Sequence, residues 1–379
     1  MHKQTICKRC IIDNIVYPDI TFDKNGICDI CNIFDNWNKT NQKLSDTQKH
    51  NALQNQINEI KKVSKKNEYD CILGLSGGVD SSYLALLAKD WGLNPLLVHI
   101  DNCWNSEFAV SNIEKVIDYT GFDLYTYVVH WKEIRDLDLA FLYASVVDTD
   151  LPNEMPFVAM LYKLAKKFKV KHILTGYNNN SEGWMPPNVT HYKLDTLNIR
   201  AIHKKFGKVK LKTYPTIGPF MVFYFEQILG IHYINPLDLI NFNKNTAKLI
   251  LQEKIKWNDY GDKHCENIFT RFYQSYILPT KFNIDKRKFH LSSLICSGQI
   301  SRDKALSIIK NPVYSNSFLF NEDFEFFLKK LKLSEKDFMH IMNTPIKKHT
   351  DYPSYINYYN FFKPIYKPIK NMFRKIRII

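Results

Sequence analysis

The sequence contains no hydrophobic run long enough to cross a membrane. Its most continuous apolar segment, residues 217–234, is interrupted by two glycines, a proline and three polar side chains, whereas a spanning helix needs ~20 apolar residues. The first residues are polar and reach a cysteine at once, so they lack the apolar core of a signal peptide. We therefore expect no transmembrane helix and a cytoplasmic location.

The cysteines do not have the spacing of a disulfide framework. Four of the eight lie near the N-terminus, and the others are scattered singly at Cys71, Cys103, Cys265 and Cys296. Scattered cysteines in a long chain are most often small buried hydrophobic residues in a reducing compartment. The sequence also lacks an internal repeat, and its 45% apolar and 24% charged content excludes disordered and collagen-like chains.

Acidic residues are fewer than basic ones. The chain has 38 Asp and Glu against 52 Lys and Arg, a formal net charge of +14. Such a charge suits a nucleic-acid binder. The basic residues are spread along a sequence rich in Lys, Asn, Ile and Tyr, however, a pattern typical of an AT-rich genome. We therefore favour an anionic small substrate and expect no nucleic-acid partner.

The N-terminal cysteines form two C-x-x-C pairs, Cys7 with Cys10 and Cys28 with Cys31. Two residues between thiolates let both face one ion, and four thiolates close a tetrahedron. A segment of about 40 residues buries little core, so metal ligation would supply its folding free energy. We expect a structural Zn²⁺ here, with an iron–sulfur cluster or four unligated thiols as alternatives.

Hydrophobic periodicity predicts an amphipathic helix and then an α/β domain. Leu53, Ile57 and Ile60 recur at helical spacing. From residue 69, short apolar runs at 69–75, 96–100, 124–129 and 172–175 alternate with helical patterns at 82–91, 111–119 and 157–168. This alternation predicts a doubly wound parallel sheet.

After residue 237 helical signals dominate, with helices expected to open at Ser301 and Ser334. We expect five regions: a zinc-binding four-cysteine module (1–40), a linker helix (41–68), an α/β domain (69–236), a helical C-terminal region (237–350) that binds substrate or partner, and a basic tail (351–379).

A glycine-rich loop, residues 76–82, follows the first expected strand. Gly77 and Gly78 would let the backbone approach an oxyanion, and the loop serines and the following helix N-terminus would donate hydrogen bonds. The loop lacks the lysine of a Walker A motif and the glycine spacing of a dinucleotide motif. It is predicted to bind phosphate.

The order S-G-G-x-D-S resembles the pyrophosphate loop (PP-loop) of ATP pyrophosphatases, which include GMP synthetase, asparagine synthetase and tRNA thiolases. The resemblance implies that the loop holds a leaving pyrophosphate while a substrate oxygen attacks the α-phosphate of ATP. Asp80 would bind Mg²⁺, and Asp80, Ser76 and Ser81 would be the catalytic residues. The implied nucleotide-binding residues of the loop are Ser76, Gly77, Gly78, Val79, Asp80, Ser81 and Ser82.

Residues after later strands would complete this site. In the family, His99 and Asp101 would lie near adenine and ribose, and Gly176 and Asn178 beside the nucleotide. Glu182 is a further metal or substrate candidate. Two alternatives stay open, since Asp101 could cap a helix and His99 could be a satisfied strand histidine.

Motifs at 257–264 and 279–299 are similar to the C-terminal signatures of N-acetyl sugar amidotransferases, and the similarity extends over nearly the whole chain. Asp262 and Asn283 stand where that family's pattern has glycine. These bacterial enzymes convert an acetamido group on a nucleotide-activated sugar into an acetamidino group, in lipopolysaccharide O-antigen, other surface-polysaccharide or flagellin-sugar biosynthesis. The sugar could be a CMP-linked acid of the pseudaminic or legionaminic type, or a UDP-linked diacetamido uronic acid.

The resemblance implies that AMP is transferred to the amide oxygen and is then displaced by ammonia. Because such a sugar nucleotide is strongly anionic, basic side chains of the second motif would bind its phosphate or carboxylate oxygens. These candidates are Lys281, Lys286, Arg287 and His290. Each could instead belong to a solvated basic face.

The sequence has no glutaminase motif, so we expect ammonia from a separate glutaminase subunit, as in the glutaminase and cyclase pair of histidine biosynthesis. It would dock where the loop 178–187 meets the C-terminal region. The tail 361–379 is basic without an acidic residue, and it would either associate weakly with an anionic membrane surface or remain solvated.

Two other functions compete with this one. The first is a tRNA-thiolating or tRNA-modifying PP-loop enzyme, although Cys71 and Cys103 do not form the central C-x-x-C pair that thiolation generally needs. The second is an ATP-binding sensor or scaffold without catalytic activity.

Overall fold

A computed structural model describes residues 4–41, 45–182, 184–259, 266–314 and 317–358. Most of the predicted basic tail, Cys265 and residues 260–264 of the first C-terminal motif lie outside the described residues. The division of the chain into five regions stays a prediction. No helix of the described part is both long and apolar enough to cross a membrane.

Five parallel strands form one sheet in the order β3-β2-β1-β4-β5. The strands are β1 (Cys71–Gly74), β2 (Pro95–Asp101), β3 (Leu124–Val128), β4 (His172–Leu174) and β5 (His232–Ile234). Helices connect the strands, which confirms the doubly wound parallel sheet that the sequence predicts.

The helices extend from the N-terminal segment to the C-terminal region. They are α1 (Asp29–Asn41), α2 (Asp46–Ser64), α3 (Val79–Asp90), α4 (Glu107–Thr120), α5 (Trp131–Ala144), α6 (Leu151–Lys167), α7 (Thr196–Phe206), α8 (Pro219–Phe223), α9 (Lys244–Ile255), α10 (Ile268–Phe272), α11 (Leu278–Phe282), α12 (Arg287–Cys296), α13 (Arg302–Ile309), α14 (Ser317–Leu331) and α15 (Glu335–Asn343). Single π-helical turns continue α8 and α10.

Helices cover both faces of the sheet, which is why its central strands are almost continuously apolar. On one face, Leu73 and Leu97 pack in a core with residues of α2, α3, α4 and α9. On the other face, Ile72 and Val98 pack with residues of α5, α6 and α7.

All four predicted strands form, and the predicted helices begin earlier than their apolar residues suggest. Helix α3 starts at Val79 because Gly78 is its N-cap, and α6 starts at Leu151 with Pro152 in its first turn. The linker helix is α2, with Leu53, Ile57 and Ile60 buried. Ser301 and Ser334 cap α13 and α15 as predicted.

The N-terminal segment packs against the C-terminal helices in a third core. This core contains the four N-terminal cysteines together with Phe269, Phe272, Phe327 and Phe338. Arg302 donates hydrogen bonds to the carbonyl oxygens of Cys7 and Cys10. The Lys288 ammonium lies 2.6 Å from the buried Asp13 carboxylate. These contacts attach the cysteine segment to the region that carries the second C-terminal motif.

Candidate nucleotide and substrate site

The candidate site lies where the strand order reverses. Strands β2 and β3 extend from one side of β1, and β4 and β5 from the other, and ligands of such sheets bind at this point, beyond the strand carboxyl ends. The loops after β1 and β4 meet there. A Cβ atom added to Gly176 would lie only 2.8 Å from the Asp80 carbonyl carbon and the Ser81 nitrogen.

Residues 76–82, the phosphate loop, are held in place by their own serines. The Ser76 hydroxyl accepts a hydrogen bond from the Gly78 amide at 3.2 Å, and the Ser81 hydroxyl accepts one from the Ser76 amide at 3.2 Å. Gly77 has φ +81, and a Cβ there would come within 2.5 Å of the Ala109 carbonyl oxygen. The loop geometry therefore requires glycine at this position.

The N-terminus of α3 faces the loop without a side-chain cap, because its N-cap residue is Gly78. The first amide groups of a helix have no partner within that helix, and together with the helix dipole they favour an anion. The Ser82 hydroxyl is buried with no hydrogen-bond partner within the described part of the chain. These features fit a bound polyphosphate, and the Asp80 carboxylate has the oxygen chemistry that Mg²⁺ prefers.

The start of the first C-terminal motif lies directly on the phosphate loop. The Trp257 indole nitrogen donates to the Gly77 carbonyl oxygen at 3.2 Å. Asn112 of α4 accepts a hydrogen bond from the Asn258 amide at 2.7 Å and donates to the Asn258 carbonyl at 3.0 Å. The first C-terminal motif therefore packs against the phosphate loop. The sequence alone did not indicate which of its residues would make these contacts.

His99 and Asp101 lie at the end of β2 and line a cavity of about 410 Å³ between the sheet and α4. Both ring nitrogens of His99 have partners, the Leu75 carbonyl at 3.1 Å and the Asn105 amide at 3.0 Å. Burial lowers the pKa of His99. Asp101 accepts from the Cys103 amide at 2.7 Å and does not cap α4, whose N-cap is Ser106.

Asn178 shapes the turn after β4. It is fully buried. Its side-chain oxygen Oδ1 accepts from the amide and hydroxyl of Ser181, both at 2.9 Å, and its side-chain nitrogen donates to the Gly176 carbonyl at 3.3 Å. The Glu182 amide closes the same turn by donating to the backbone carbonyl oxygen of Asn178. Asn178 therefore fixes the loop that contacts the phosphate loop through Gly176.

A second cavity, of about 340 Å³, lies beside this turn. Its polar lining includes Lys49, Asn180, Asp238, Asn241 and Gln299. The Ser297 hydroxyl donates to the Asn180 carbonyl at 3.0 Å. The loop after β4 and the second C-terminal motif therefore meet at this cavity.

The four N-terminal cysteines form a compact, fully buried cluster. Their sulfur atoms all lie within 4.8 Å of one another, with 3.9 Å between Cys7 and Cys31 and 3.6 Å between Cys10 and Cys28. The edge of a tetrahedron of four sulfurs around zinc is about 3.8 Å for Zn–S bonds of about 2.3 Å. The cluster therefore has the donors and spacing for one metal ion.

Cys296 lies beside this cluster, whereas the sequence predicts it to be an isolated cysteine. Its sulfur is 3.7 Å from that of Cys31. The hydrogen bond with Cys31 and the nearby Arg9 guanidinium lower the pKa of Cys296. Its distance in sequence from the C-x-x-C pairs concealed this proximity, which arises because the C-terminal end of α12 packs on the N-terminal segment.

The predicted basic substrate residues have different environments. Lys281 donates to the Ile341 carbonyl, and burial lowers its pKa to about 8. Arg287 pairs with Asp285 at 2.8 Å and donates to the Asn311 carbonyl at 3.0 Å. His290 is partly buried on α12. Lys286 makes no hydrogen bond or ion pair to any residue that the structure describes, and burial lowers its pKa.

Lys286 lies near a group of buried and half-buried polar residues that the sequence analysis missed. We call this group the α6 polar cluster, and its members are Asp148, Thr149, Asp150, Glu154, Lys193 and Lys286. The Lys193 ammonium bridges Asp148 at 2.7 Å and Glu154 at 3.1 Å. Asp148 also accepts from the His191 amide at 2.7 Å, and its pKa is lowered to about 2, with Lys193 the main stabilising charge.

Hydrogen bonds connect the α6 polar cluster to the carboxyl end of β2. The Thr270 hydroxyl donates to Asp150 at 2.8 Å, and the Thr270 backbone amide donates to the Asn267 side chain at 3.0 Å. Asn267 donates in turn to Asn102 at 3.0 Å, and Asn102 follows directly after β2. The cluster therefore belongs to the same edge of the sheet as the phosphate loop.

Three solved structures show weak similarity to this chain. An NMN synthetase from Francisella tularensis is 16% identical over 60% of this chain and 92% of that one, with a TM-score of 0.29. The U34-tRNA thiolase NcsA from Methanococcus maripaludis is 12% identical over 82% and 89%, with a TM-score of 0.30. A predicted subunit of tRNA methyltransferase from Methanocaldococcus jannaschii is 18% identical over 48% and 74%, with a TM-score of 0.27. Similarities this weak do not bear on function.

Sequence comparison identifies the C-terminal region. No curated protein sequence is significantly similar to the chain. Residues 266–374 match a family model described as LPS biosynthesis protein WbpG-like, C-terminal domain. This match spans the second C-terminal motif and confirms the resemblance drawn from it. The match covers less than half of the chain, and it shows that residues 266–374 are similar to the WbpG-like C-terminal domains of LPS biosynthesis proteins.

Proposed function

We propose that this chain is an ATP-dependent amidotransferase. It converts an acetamido group on a nucleotide-activated sugar into an acetamidino group, with formation of AMP and pyrophosphate, in the biosynthesis of lipopolysaccharide or a related surface or flagellin glycan. The observation that carries the proposal is the contact between the WbpG-like region and the carboxyl edge of the sheet. The Ile268 amide donates to the Trp104 carbonyl at 2.8 Å, and the Ser297 hydroxyl donates to Asn180 at 3.0 Å.

The phosphate loop supplies the activation step in this proposal. An amide carbonyl is a poor electrophile, but transfer of AMP to its oxygen gives an imidate with a good leaving group. The α3 N-terminus and the loop serines would hold the departing pyrophosphate, and Asp80 would hold Mg²⁺, which neutralises charge on the phosphates. Positioning and charge neutralisation then provide most of the rate enhancement.

The anionic substrate accounts for basic side chains in the WbpG-like region. Lys286 has no other partner in the described structure, so it is the strongest of the four candidates for an oxygen of the sugar nucleotide. Lys281 donates to a protein carbonyl group, which orients its charge without neutralising it, whereas the charge of Arg287 is already paired with Asp285. His290 lies on the same helix as Arg287.

Ammonia would come from a separate glutaminase subunit, because a free pool is scarce and largely protonated at neutral pH. The cavity lined by Asn180 and Gln299 is our proposed docking place, since the loop after β4 meets the WbpG-like region there. Delivery near the imidate would protect it from water.

The test uses the purified full chain with ATP, Mg²⁺, ammonium chloride and each candidate sugar nucleotide. We expect AMP, pyrophosphate and a product in which one amide oxygen is replaced by NH, identified by mass spectrometry. Glutamine should not replace ammonium unless a glutaminase is added. Formation of ADP, or turnover that depends on co-purified tRNA rather than on a sugar nucleotide, would contradict the proposal.

A further inference from the structure

The α6 polar cluster contains a carboxylate in an unusual position. Asp150 is the N-cap residue of α6, yet its side chain makes no capping hydrogen bond. One of its oxygens accepts from Thr270 at 2.8 Å, and the other, Oδ1, is buried with no partner within the described chain. An aspartate at this position normally bonds the helix amides, so the local structure does not explain this orientation.

Two more polar groups of the cluster lack partners within the described residues. The Thr149 hydroxyl is buried without a hydrogen bond, and Thr149 is only 2% exposed. The ammonium of the half-buried Lys286 also makes no hydrogen bond, although its pKa responds to the Asp150 carboxylate. A buried polar group without a partner costs free energy. A ligand that both donates and accepts hydrogen bonds would satisfy all three.

We propose that the α6 polar cluster binds the reacting acetamido group, with Asp150 Oδ1 accepting the amide N–H and the Lys286 ammonium donating to the amide oxygen. This assignment rests on the proposed function. A secondary amide offers one donor and one acceptor, and the hydrogen bonds through Thr270, Asn267 and Asn102 place the cluster at the carboxyl edge of the sheet.

In this arrangement Asp150 is a catalytic base. As the amide oxygen attacks the α-phosphate, its new O–P bond replaces the bond to pyrophosphate, and the amide proton moves to Asp150 to leave a neutral imidate. Ammonia then adds to the imidate carbon while Asp150 returns the proton to the imidate nitrogen. AMP leaves with the C–O electron pair, and the extra ammonia proton passes to Asp150 and then to water, which leaves an amidinium group.

The charges around Asp150 suit this role. Burial, together with the nearby Glu154 carboxylate, raises the pKa of Asp150 to about 7, close to the value at which a group both accepts and donates protons at neutral pH. The titratable groups that face it are Asp138, Asp148, Glu154, Lys193, Tyr273 and Lys286.

The deciding experiment compares Asp150→Asn with Asp90→Asn, a matched carboxylate-to-amide change at the exposed end of α3, outside the α6 polar cluster. Ammonium-dependent AMP formation is measured across neutral pH with the full chain and its sugar nucleotide. We expect kcat of Asp150→Asn to fall by roughly 10²–10⁴-fold with loss of the neutral pH dependence, and Asp90→Asn to leave both nearly as in wild type.

Thermal unfolding separates this role from a structural one. Because the pKa of Asp150 is raised in the folded state, its ionisation destabilises the wild type as pH rises from ~4 towards 7, so Asp150→Asn should be at least as stable as wild type at neutral pH. Unchanged turnover with an unchanged pH profile, or a loss of activity together with a lower Tm, would overturn the role of Asp150. Neither result would contradict the proposed function. A wild-type chain that forms no AMP with any sugar nucleotide would instead overturn the proposed function, and this inference with it.

Discussion

The phosphate loop and the α6 polar cluster lie at the same edge of the sheet but are assembled differently. The loop consists of consecutive residues, 76–82, held by hydrogen bonds among its own serines. The cluster takes Asp150 from the start of α6, Lys193 from the segment before α7 and Lys286 from the N-cap of α12. A local motif carries its geometry in its sequence, whereas a cluster of this kind exists only after the chain has folded.

This difference also affects how each region depends on the rest of the molecule. The phosphate loop needs β1, α3 and the contact with Ala109. The cluster needs the WbpG-like region, because Thr270 binds Asp150 and Lys286 directly precedes α12. We infer that the first region provides the activation chemistry and the second selects the group that is activated.

The largest effect is expected for Asp80→Asn in the phosphate loop. Loss of the carboxylate proposed to hold Mg²⁺ should lower sugar-nucleotide-dependent pyrophosphate release by at least ~10²–10³-fold and leave the fold intact. Pyrophosphate release and circular dichroism provide the measurements.

Asp90→Asn is the matched control for Asp80→Asn. Asp90 ends the same helix, and its carboxylate is 3.9 Å from Lys254 on the protein surface, so the change should leave turnover nearly as in wild type. Wild-type turnover by Asp80→Asn would remove Asp80 from the mechanism.

The next largest effect concerns the cysteine cluster. Cys10→Ser should lose the bound metal and destabilise the N-terminal segment, because three thiolates leave the tetrahedron open and ligation supplies folding free energy. Metal content per chain is the measurement, and Cys71→Ala, a buried cysteine on β1, is the control that should retain metal.

Cys296→Ser tests which cysteines hold the metal, because Cys296 places a further sulfur beside the four-cysteine cluster. We expect this variant to keep its metal, since the other four thiols are fully buried and already fit one ion. Loss of metal from Cys296→Ser would make Cys296 a ligand and would disprove a four-cysteine site.

The sequence predicts the parts of the fold that local patterns encode. Continuous apolar runs indicate β1 to β4, and helix N-cap residues locate α13 and α15. Strand β5 was missed because its three residues are only half-buried, and its place at the sheet edge follows from pairing with β4.

The candidate site also has a part that local sequence patterns predict and a part that they do not. The phosphate loop and the cysteine pairs were found because spacing within a short segment specifies them. Asp150 was missed because a lone aspartate before a helix is normally a cap. Its lack of a capping bond, and its proximity to Lys286, depend on long-range packing that no local pattern encodes.

A smaller effect is expected for Gly77→Ala, with Gly121→Ala as its matched control. Both glycines have positive φ, but a Cβ at Gly77 would meet the Ala109 carbonyl at 2.5 Å while nothing lies within 4 Å at Gly121. Gly121→Ala should therefore cost only the backbone strain of about 1–2 kcal/mol in the free energy of unfolding. Gly77→Ala should cost more and also impair AMP formation. If urea unfolding gave the same loss of unfolding free energy for both variants, the loop would be able to move away from Ala109.

The smallest effects concern the neighbouring residues Lys286 and Arg287, which sequence analysis treated alike. Loss of one charge-assisted hydrogen bond of about 1.5 kcal/mol corresponds to roughly tenfold in affinity, so Lys286→Met should raise KM for the sugar nucleotide by about that factor. Arg287 is already paired with Asp285 and the Asn311 carbonyl. Arg287→Gln should therefore lower stability by about 1 kcal/mol or less and change KM little. Steady-state kinetics and urea unfolding of both variants provide the measurements. The reverse result, with KM raised only by Arg287→Gln, would transfer substrate binding from Lys286 to the guanidinium and separate the substrate from the α6 polar cluster.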